Sequence, residues 1–161
     1  MKEFSYNFSY TVFDGIDDLG SADAYLLQQA RELTAVSYAP YSQFHVASVA
    51  KLANGEMVKG TNQENASFPV GICAERSLLA AVGTLYPNEV IETIAITYQP
   101  AEGSSNKPIS PCGMCRQALL EYEMRVKHPM RILLSGMEGP VYIINTAKNL
   151  LPLAFDGEDL K

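Results

Sequence analysis

Gly71-Ile-Cys-Ala-Glu-Arg-Ser-Leu-Leu-Ala-Ala-Val-Gly-Thr-Leu-Tyr86 is the stretch on which the fold turns. Leu78, Leu79, Val82, Leu85 and Tyr86 recur along one face of a 3.6-residue period, so Ile72 to Tyr86 predicts an amphipathic helix opening after a glycine. That placement puts Cys73 and Glu75 in the first helical turn. There, unpaired backbone N–H groups and the positive end of the helix dipole favour a thiolate over a thiol.

Working back from this helix, Phe44 to Leu52 and Met57 to Thr61 read as two antiparallel strands joined at Asn54-Gly55, a strong short hairpin signal. Before them, Leu26, Leu27, Ala30 and Leu33 predict a helix from Ser21, taken as its N-cap, that stops by Tyr38-Ala39-Pro40-Tyr41. Residues 1–20 hold Tyr6, Phe8, Tyr10 and Phe13 among Ser, Asp and Gly without steady spacing, and read as an irregular arm or a short strand.

Working forward, Ile94, Ile96 and Tyr98 alternate within a strand from Thr93 to Tyr98, and a loop from Pro100 delivers the chain to Pro111 and Cys112. A third helix is expected from about Cys112 through Tyr122. Strands follow at Arg131 to Leu134 and Val141 to Ile144, then a short helix over Ala147 to Leu151 ended by Pro152. The order implies a layered α/β domain, with a mixed sheet of about five strands covered by helices. One domain over 21–161, preceded by the arm 1–20, accounts for the chain.

The 161 residues are 47% hydrophobic and 19% charged, enough to close one apolar core. Eighteen Asp and Glu against twelve Lys and Arg leave a net charge of −6, a field that repels polyanions and argues against a nucleic-acid polymer as partner. No apolar run reaches the roughly 18 residues of a membrane span, and Met-Lys-Glu-Phe-Ser-Tyr-Asn lacks the features of a secretory leader, so a soluble cytoplasmic protein is expected. Three cysteines in such a chain suit metal or thiol chemistry better than a disulfide framework.

Cys112 and Cys115, three apart at a predicted helix start, can turn both sulfurs toward one tetrahedral ion, and Cys73 can join them from the other helix. Neither His45 nor His128 stands at a spacing that would complete a fourth ligand. Three ligands leave one corner of the ion for solvent, which distinguishes a catalytic from a structural zinc site. Glu75, two positions past Cys73, is too close for comfortable co-ligation but well placed as a general acid and base. Taken singly, a C-x-x-C is as readily a structural metal site or redox pair. Together, C-A-E at Cys73 to Glu75 and P-C-G-M-C at Pro111 to Cys115 match the all-cysteine form of the zinc deaminase signature.

From Ser37 onward the chain resembles the small homotetrameric cytidine deaminases. The blocks that carry the likeness are Y-A-P-Y-S-Q-F (38–44), N-Q-E-N-A-S-F-P (62–69), G-I-C-A-E-R (71–76), S-P-C-G-M-C-R-Q (110–117) and L-L-P-L-A-F (150–155). The resemblance implies the cytidine-deaminase-like three-layer fold, bound Zn2+, and release of ammonia from cytidine and deoxycytidine. It further implies that Asn62 and Glu64 bind ribose hydroxyls, that Phe44 lies against the pyrimidine, and that the backbone at Ala74 meets the pyrimidine carbonyl. Phe155 would reach a neighbouring subunit's site. Three thiolates overcompensate a dipositive ion, so Arg76, adjacent to the site, is expected on chemical grounds to hydrogen-bond a cysteine sulfur and withdraw charge.

Two features depart from the family: its F-G-P-x-x-L ending stands here as F-D-G-E-D-L, and roughly twenty extra residues precede the first helix. Three alternatives share parts of the pattern: a blasticidin-type deaminase, a nucleic-acid-editing deaminase, and a zinc module that is not an enzyme. Asn62 and Glu64 favour a ribose over the first, and the acidic balance opposes the second.

Overall fold

The computed structural model describes residues 1–160. Its centre is a six-stranded sheet in the order β1-β6-β5-β4-β2-β3, made of β1 (Thr11–Phe13), β2 (Phe44–Leu52), β3 (Met57–Thr61), β4 (Ile91–Pro100), β5 (Arg131–Ser135) and β6 (Val141–Ile144). Every neighbouring pair is antiparallel except β4 and β5, whose parallel register needs a crossover connection. The helix α3 (Gly113–Val126) supplies it. The sixth strand, beyond the five the sequence predicts, comes from the N-terminal arm: Thr11, Val12 and Phe13 pair with Ile143, Tyr142 and Val141.

The sheet separates two apolar layers, as the burial alternation along its strands requires. On one face α1 (Ser21–Leu33) sets Leu26, Leu27 and Ala30 on Val49, Ala95, Leu133 and Ile143. On the other, Leu78 and Val82 of α2 (Ala74–Leu85) join Leu119 and Tyr122 of α3 over Ala50, Ile94, Ile96 and Ile132. Asp23 and Arg131 pin α1 to β5 through two bonds of 2.7 and 2.6 Å, the paired geometry a guanidinium offers a carboxylate.

Three helix boundaries differ from their sequence expectations for local reasons. Gly20 rather than Ser21 caps α1, in extended backbone and without a side-chain cap bond. Cys73 and Cys112 are themselves the N-caps of α2 and α3, each extended and each leaving its side chain off the helix backbone. An N-cap side chain projects from the helix end rather than its flank, so both sulfurs are free to converge. The predicted terminal helix is a single 3-10 turn, Ala147–Leu150.

Buried Glu123 on α3 is a fixture that helical spacing did not single out. Its carboxylate accepts the Met130 and Ala147 N–H groups at 2.8 and 2.7 Å and the Thr146 hydroxyl at 2.5 Å. One side chain thereby ties the end of α3, the entry to β5 and the 147–150 turn.

Gly60 on β3 sets how closely α2 approaches the sheet. A Cβ there would stand 2.5 Å from both the Ala74 carbonyl oxygen and the Leu78 nitrogen, which are helix backbone and cannot swing aside. Gly60→Ala is therefore expected to lift the first turn of α2 and to lower stability by about 1–3 kcal/mol, the usual cost of overpacking. Thermal unfolding of the variant beside the parent measures it.

Candidate active site and metal centre

Cys73 and Cys112 stand at the starts of α2 and α3, side by side on the same face of the sheet, and Cys115 lies one turn into α3. Their three sulfurs all lie within 4.8 Å of one another, with Cys73 to Cys112 at 3.9 Å and Cys112 to Cys115 at 3.5 Å. A tetrahedral ion with metal–sulfur bonds of about 2.3 Å holds its sulfurs roughly 3.8 Å apart. The trio thus has the spacing of three corners of a zinc tetrahedron, and among the described residues no fourth His, Cys, Asp or Glu joins it.

Proton affinity in the trio is already divided. Cys73 is drawn down to about 6, chiefly by the neighbouring Cys115 thiol, whereas the proximity of Cys73 and burial push Cys115 up. Cys73 accordingly ionises more readily than Cys115. The charge of Arg76 also favours its ionised form, but among the described residues Arg76 makes no hydrogen bond to any cysteine sulfur. The expected Arg76-to-sulfur hydrogen bond is thus replaced by a through-space effect.

Glu75 is only 4% exposed, and burial raises its carboxyl above the usual range. It lines a cavity of about 190 Å³ together with all three cysteines, Ala74, Asn62, Val46, Ile109 and Ser110. A planar six-membered ring with its substituents fits such a space. Asn62 and Cys73 also line a second groove of about 370 Å³, which holds Glu64, Phe68 and Met114.

Asn62 is oriented by the strand beside it: its Oδ1 accepts the Val46 N–H at 2.8 Å and its Nδ2 donates to the Phe44 carbonyl at 2.9 Å. Glu64 accepts the Tyr41 and Ser42 N–H groups at 2.8 and 3.2 Å. The Ser42 hydroxyl, with those amides, holds its carboxyl below the usual range. Phe44 stacks on Tyr98 with centroids 5.0 Å apart, in the wall of an adjoining 540 Å³ cavity that shares Ile109 and Ser110 with the ring-sized one. Phe155 is 60% exposed and held only through its carbonyl, which accepts from Gln117 Nε2 at 2.9 Å; it does not line the cavity of its own chain.

The structure thus brings Cys73, Ala74, Glu75, Cys112, Cys115 and Asn62 into one cavity, sets Glu64 and Phe44 in adjoining grooves, and leaves Phe155 apart. Two residues inside the quoted S-P-C-G-M-C-R-Q block went unassigned at the sequence level. Ser110 walls the ring-sized cavity, and Arg116 donates from Nε to the Pro111 carbonyl at 2.9 Å and from Nη1 to the Leu150 carbonyl at 3.1 Å. Their adjacency to the paired cysteines was the signal.

Three converging cysteine sulfurs without a fourth protein ligand among the described residues, beside a buried carboxylate on a three-layer α/β/α scaffold, have the make-up of a metal-dependent hydrolytic enzyme. A family model described as the cytidine and deoxycytidylate deaminase zinc-binding region matches residues 21–128. A cytidine deaminase of Halalkalibacterium halodurans is 30% identical over 135 residues, covering 84% of this chain and 95% of that one. The 1.6 Å crystal structure of cytidine deaminase from Burkholderia pseudomallei superposes with a TM-score of 0.70 at 34% identity, over 81% of this chain and 97% of that one. A blasticidin-S deaminase of Bacillus cereus is more distant, 25% identical over 143 residues, or 86% of this chain and 95% of that one. The chain belongs to the cytidine and deoxycytidylate deaminase family.

Proposed function

We propose that this chain hydrolyses cytidine and deoxycytidine to uridine and deoxyuridine with release of ammonia, as a pyrimidine-salvage enzyme. The observation that carries the reading is buried Glu75 beside the open side of the Cys73, Cys112 and Cys115 trio, in a cavity the size of a pyrimidine. The acidic charge balance suits a free nucleoside rather than a polymer.

Cys73, Cys112 and Cys115 would hold Zn2+, which supplies a water acidified toward neutrality. Glu75 takes the proton from the attacking water on its carboxylate oxygen and delivers it to N3 of cytosine, drawing electrons away from C4. A second transfer through Glu75 protonates the departing amino group. Its burial serves this exchange, because desolvation raises the carboxyl's proton affinity and so helps it hold the proton between transfers. Arg76 offsets the surplus negative charge of three thiolates on a dipositive ion. Ala74, the first residue of α2, lines the cavity, and we assign its backbone to the pyrimidine 2-carbonyl.

Asn62 and Glu64 are assigned to the ribose hydroxyls and Phe44 to the pyrimidine face. Because Glu64 is remote from the reacting C4, Glu64→Gln is expected to raise KM for cytidine by at least about 10-fold with a smaller change in kcat. Steady-state kinetics give both numbers.

We further propose a homotetramer in which Phe155 completes a neighbouring chain's site. Exposed Phe155, Phe68 and Met114, the last two on the rim of the groove that holds Glu64, suit burial between copies. Among the described residues no helix is long and apolar enough to cross a membrane, and we place the enzyme in the cytoplasm. Ammonia release by purified protein from cytidine, deoxycytidine and blasticidin S in parallel tests the substrate reading. Cytidine should exceed blasticidin S by at least about 100-fold in kcat/KM, the scale at which matched polar groups discriminate; the reverse order would assign the site to the other substrate.

A further inference from the structure

The family match begins at residue 21, so the arm ahead of it has no role in the reading above. Within the arm, Tyr6, Phe8 and Tyr10 share one side of an extended chain and wall one cavity of about 390 Å³. Phe8 stacks on Tyr10 with centroids 5.5 Å apart, and Tyr10 packs on Tyr142 of β6 at 4.9 Å. The Tyr6 hydroxyl donates to the Lys148 carbonyl at 3.3 Å. The arm thus grips both β6 and the 147–150 turn.

The opposite wall of that cavity contains Ser110, Arg116 and Leu150. Arg116 is the hinge between this wall and the metal site. One of its N–H groups holds the Leu150 carbonyl, in the turn the arm grips, and another holds the Pro111 carbonyl, immediately before Cys112. A planar guanidinium makes both bonds only while the two carbonyls stay in fixed relation. Glu123 anchors the start of the turn from α3, so stripping the arm away would remove the hold on its far end at Lys148 and uncover Tyr142, leaving Arg116 alone to fix the Leu150 carbonyl against Pro111.

We propose that the N-terminal arm is a brace for the metal-binding loop: by holding the Lys148–Leu150 turn against Arg116 it fixes Pro111, and with it Cys112, at the spacing that retains the ion. Arg116 is a positioning residue in this scheme, and the arm acts through it. The proposal rests on the reading that the three cysteines hold zinc.

The test is the rate at which zinc-loaded protein yields its metal to a chromogenic chelator, with kcat and KM for cytidine measured alongside. Deletion of residues 1–13 is expected to speed zinc release by at least about 10-fold, the scale seen when groups supporting metal ligands are removed. It should lower kcat while leaving KM within about twofold, since Asn62 and Glu64 are untouched. Arg116→Gln should speed release comparably, and Arg116→Lys, which can reach only one of the two carbonyls, should fall between.

Because arm and guanidinium act in series, deletion combined with Arg116→Gln should exceed neither single change by more than about twofold. Should the deleted chain fail to fold by circular dichroism, the paired variant Tyr6→Phe with Tyr10→Leu is held to the same criteria. Zinc release at the parent rate from the folded shortened protein, or effects that multiply in the combination, would overturn the brace. A full-length protein that binds no zinc would instead overturn the metal reading beneath it.

Discussion

Glu75→Gln should retain zinc at the parent's level and lose at least about 100-fold in turnover, the smaller end of what a positioned acid and base contributes. Glutamine keeps the size of the side chain and can still hydrogen-bond, so the cavity and the trio have no reason to change. What it cannot do is accept a proton from water and return it to N3 and then to the leaving amine. Because the proposal gives this one carboxylate every transfer, no other group lining the cavity is expected to make good its loss: the three cysteines are assigned to the ion, and Asn62 and Ser110 do not titrate near neutrality. Substrate affinity should survive, so KM is expected to move far less than kcat. Metal analysis beside initial rates reads both halves of the prediction. Loss of zinc in step with activity would assign Glu75 to the metal instead of the proton.

The second large effect is expected at Cys115, the most deeply buried of the three sulfurs at 1% exposure. Cys115→Ala leaves two sulfurs facing the ion, while its burial prevents solvent from replacing the third in the same place. Zinc content is expected to fall below about a tenth of the parent's and turnover below about a hundredth, because metal affinity in such sites is the sum of ligands that converge without adjustment. Binding free energy in a thiolate site is also folding free energy, so the variant should unfold at a lower temperature than the zinc-loaded parent and close to the metal-stripped one. Full zinc retention in Cys115→Ala would remove this sulfur from the ligand set.

The features that sequence located well are those whose signal is local. Asn54-Gly55 announces the β2–β3 hairpin because the turn closed by the Gly55 N–H on the Leu52 carbonyl ends on a left-handed residue, and Gly55 has φ 90°. The cysteine and glutamate spacings survive into the structure because they lie within single helical turns. Their convergence is less local, yet it follows once both cysteines are recognised as helix starts on the same face of one sheet.

What sequence obscured depends on distant partners. Tyr6, Phe8 and Tyr10 do alternate, but Ser and Asn between them and a docking surface at Tyr142 and Lys148 hide the pattern from any local window. The sixth strand was therefore readable only as one option for the arm. Strand β4 extends past its alternating segment at both ends because β2 pairs along its whole length, from Ile91 to Pro100. Glu123 reads as a solvated helix charge, and only the fold supplies the three donors that bury it. Phe155 was named from resemblance, and on this chain it lies exposed and outside the lining of the cavity.

The most direct measurement is a zinc titration of metal-stripped protein, following bound metal and ammonia released from cytidine in the same samples. Activity should be absent without metal, rise in proportion to occupancy, and level off at one ion per chain. Deamination at the full rate by metal-free protein, or a zinc-saturated protein inert toward cytidine, would contradict the account.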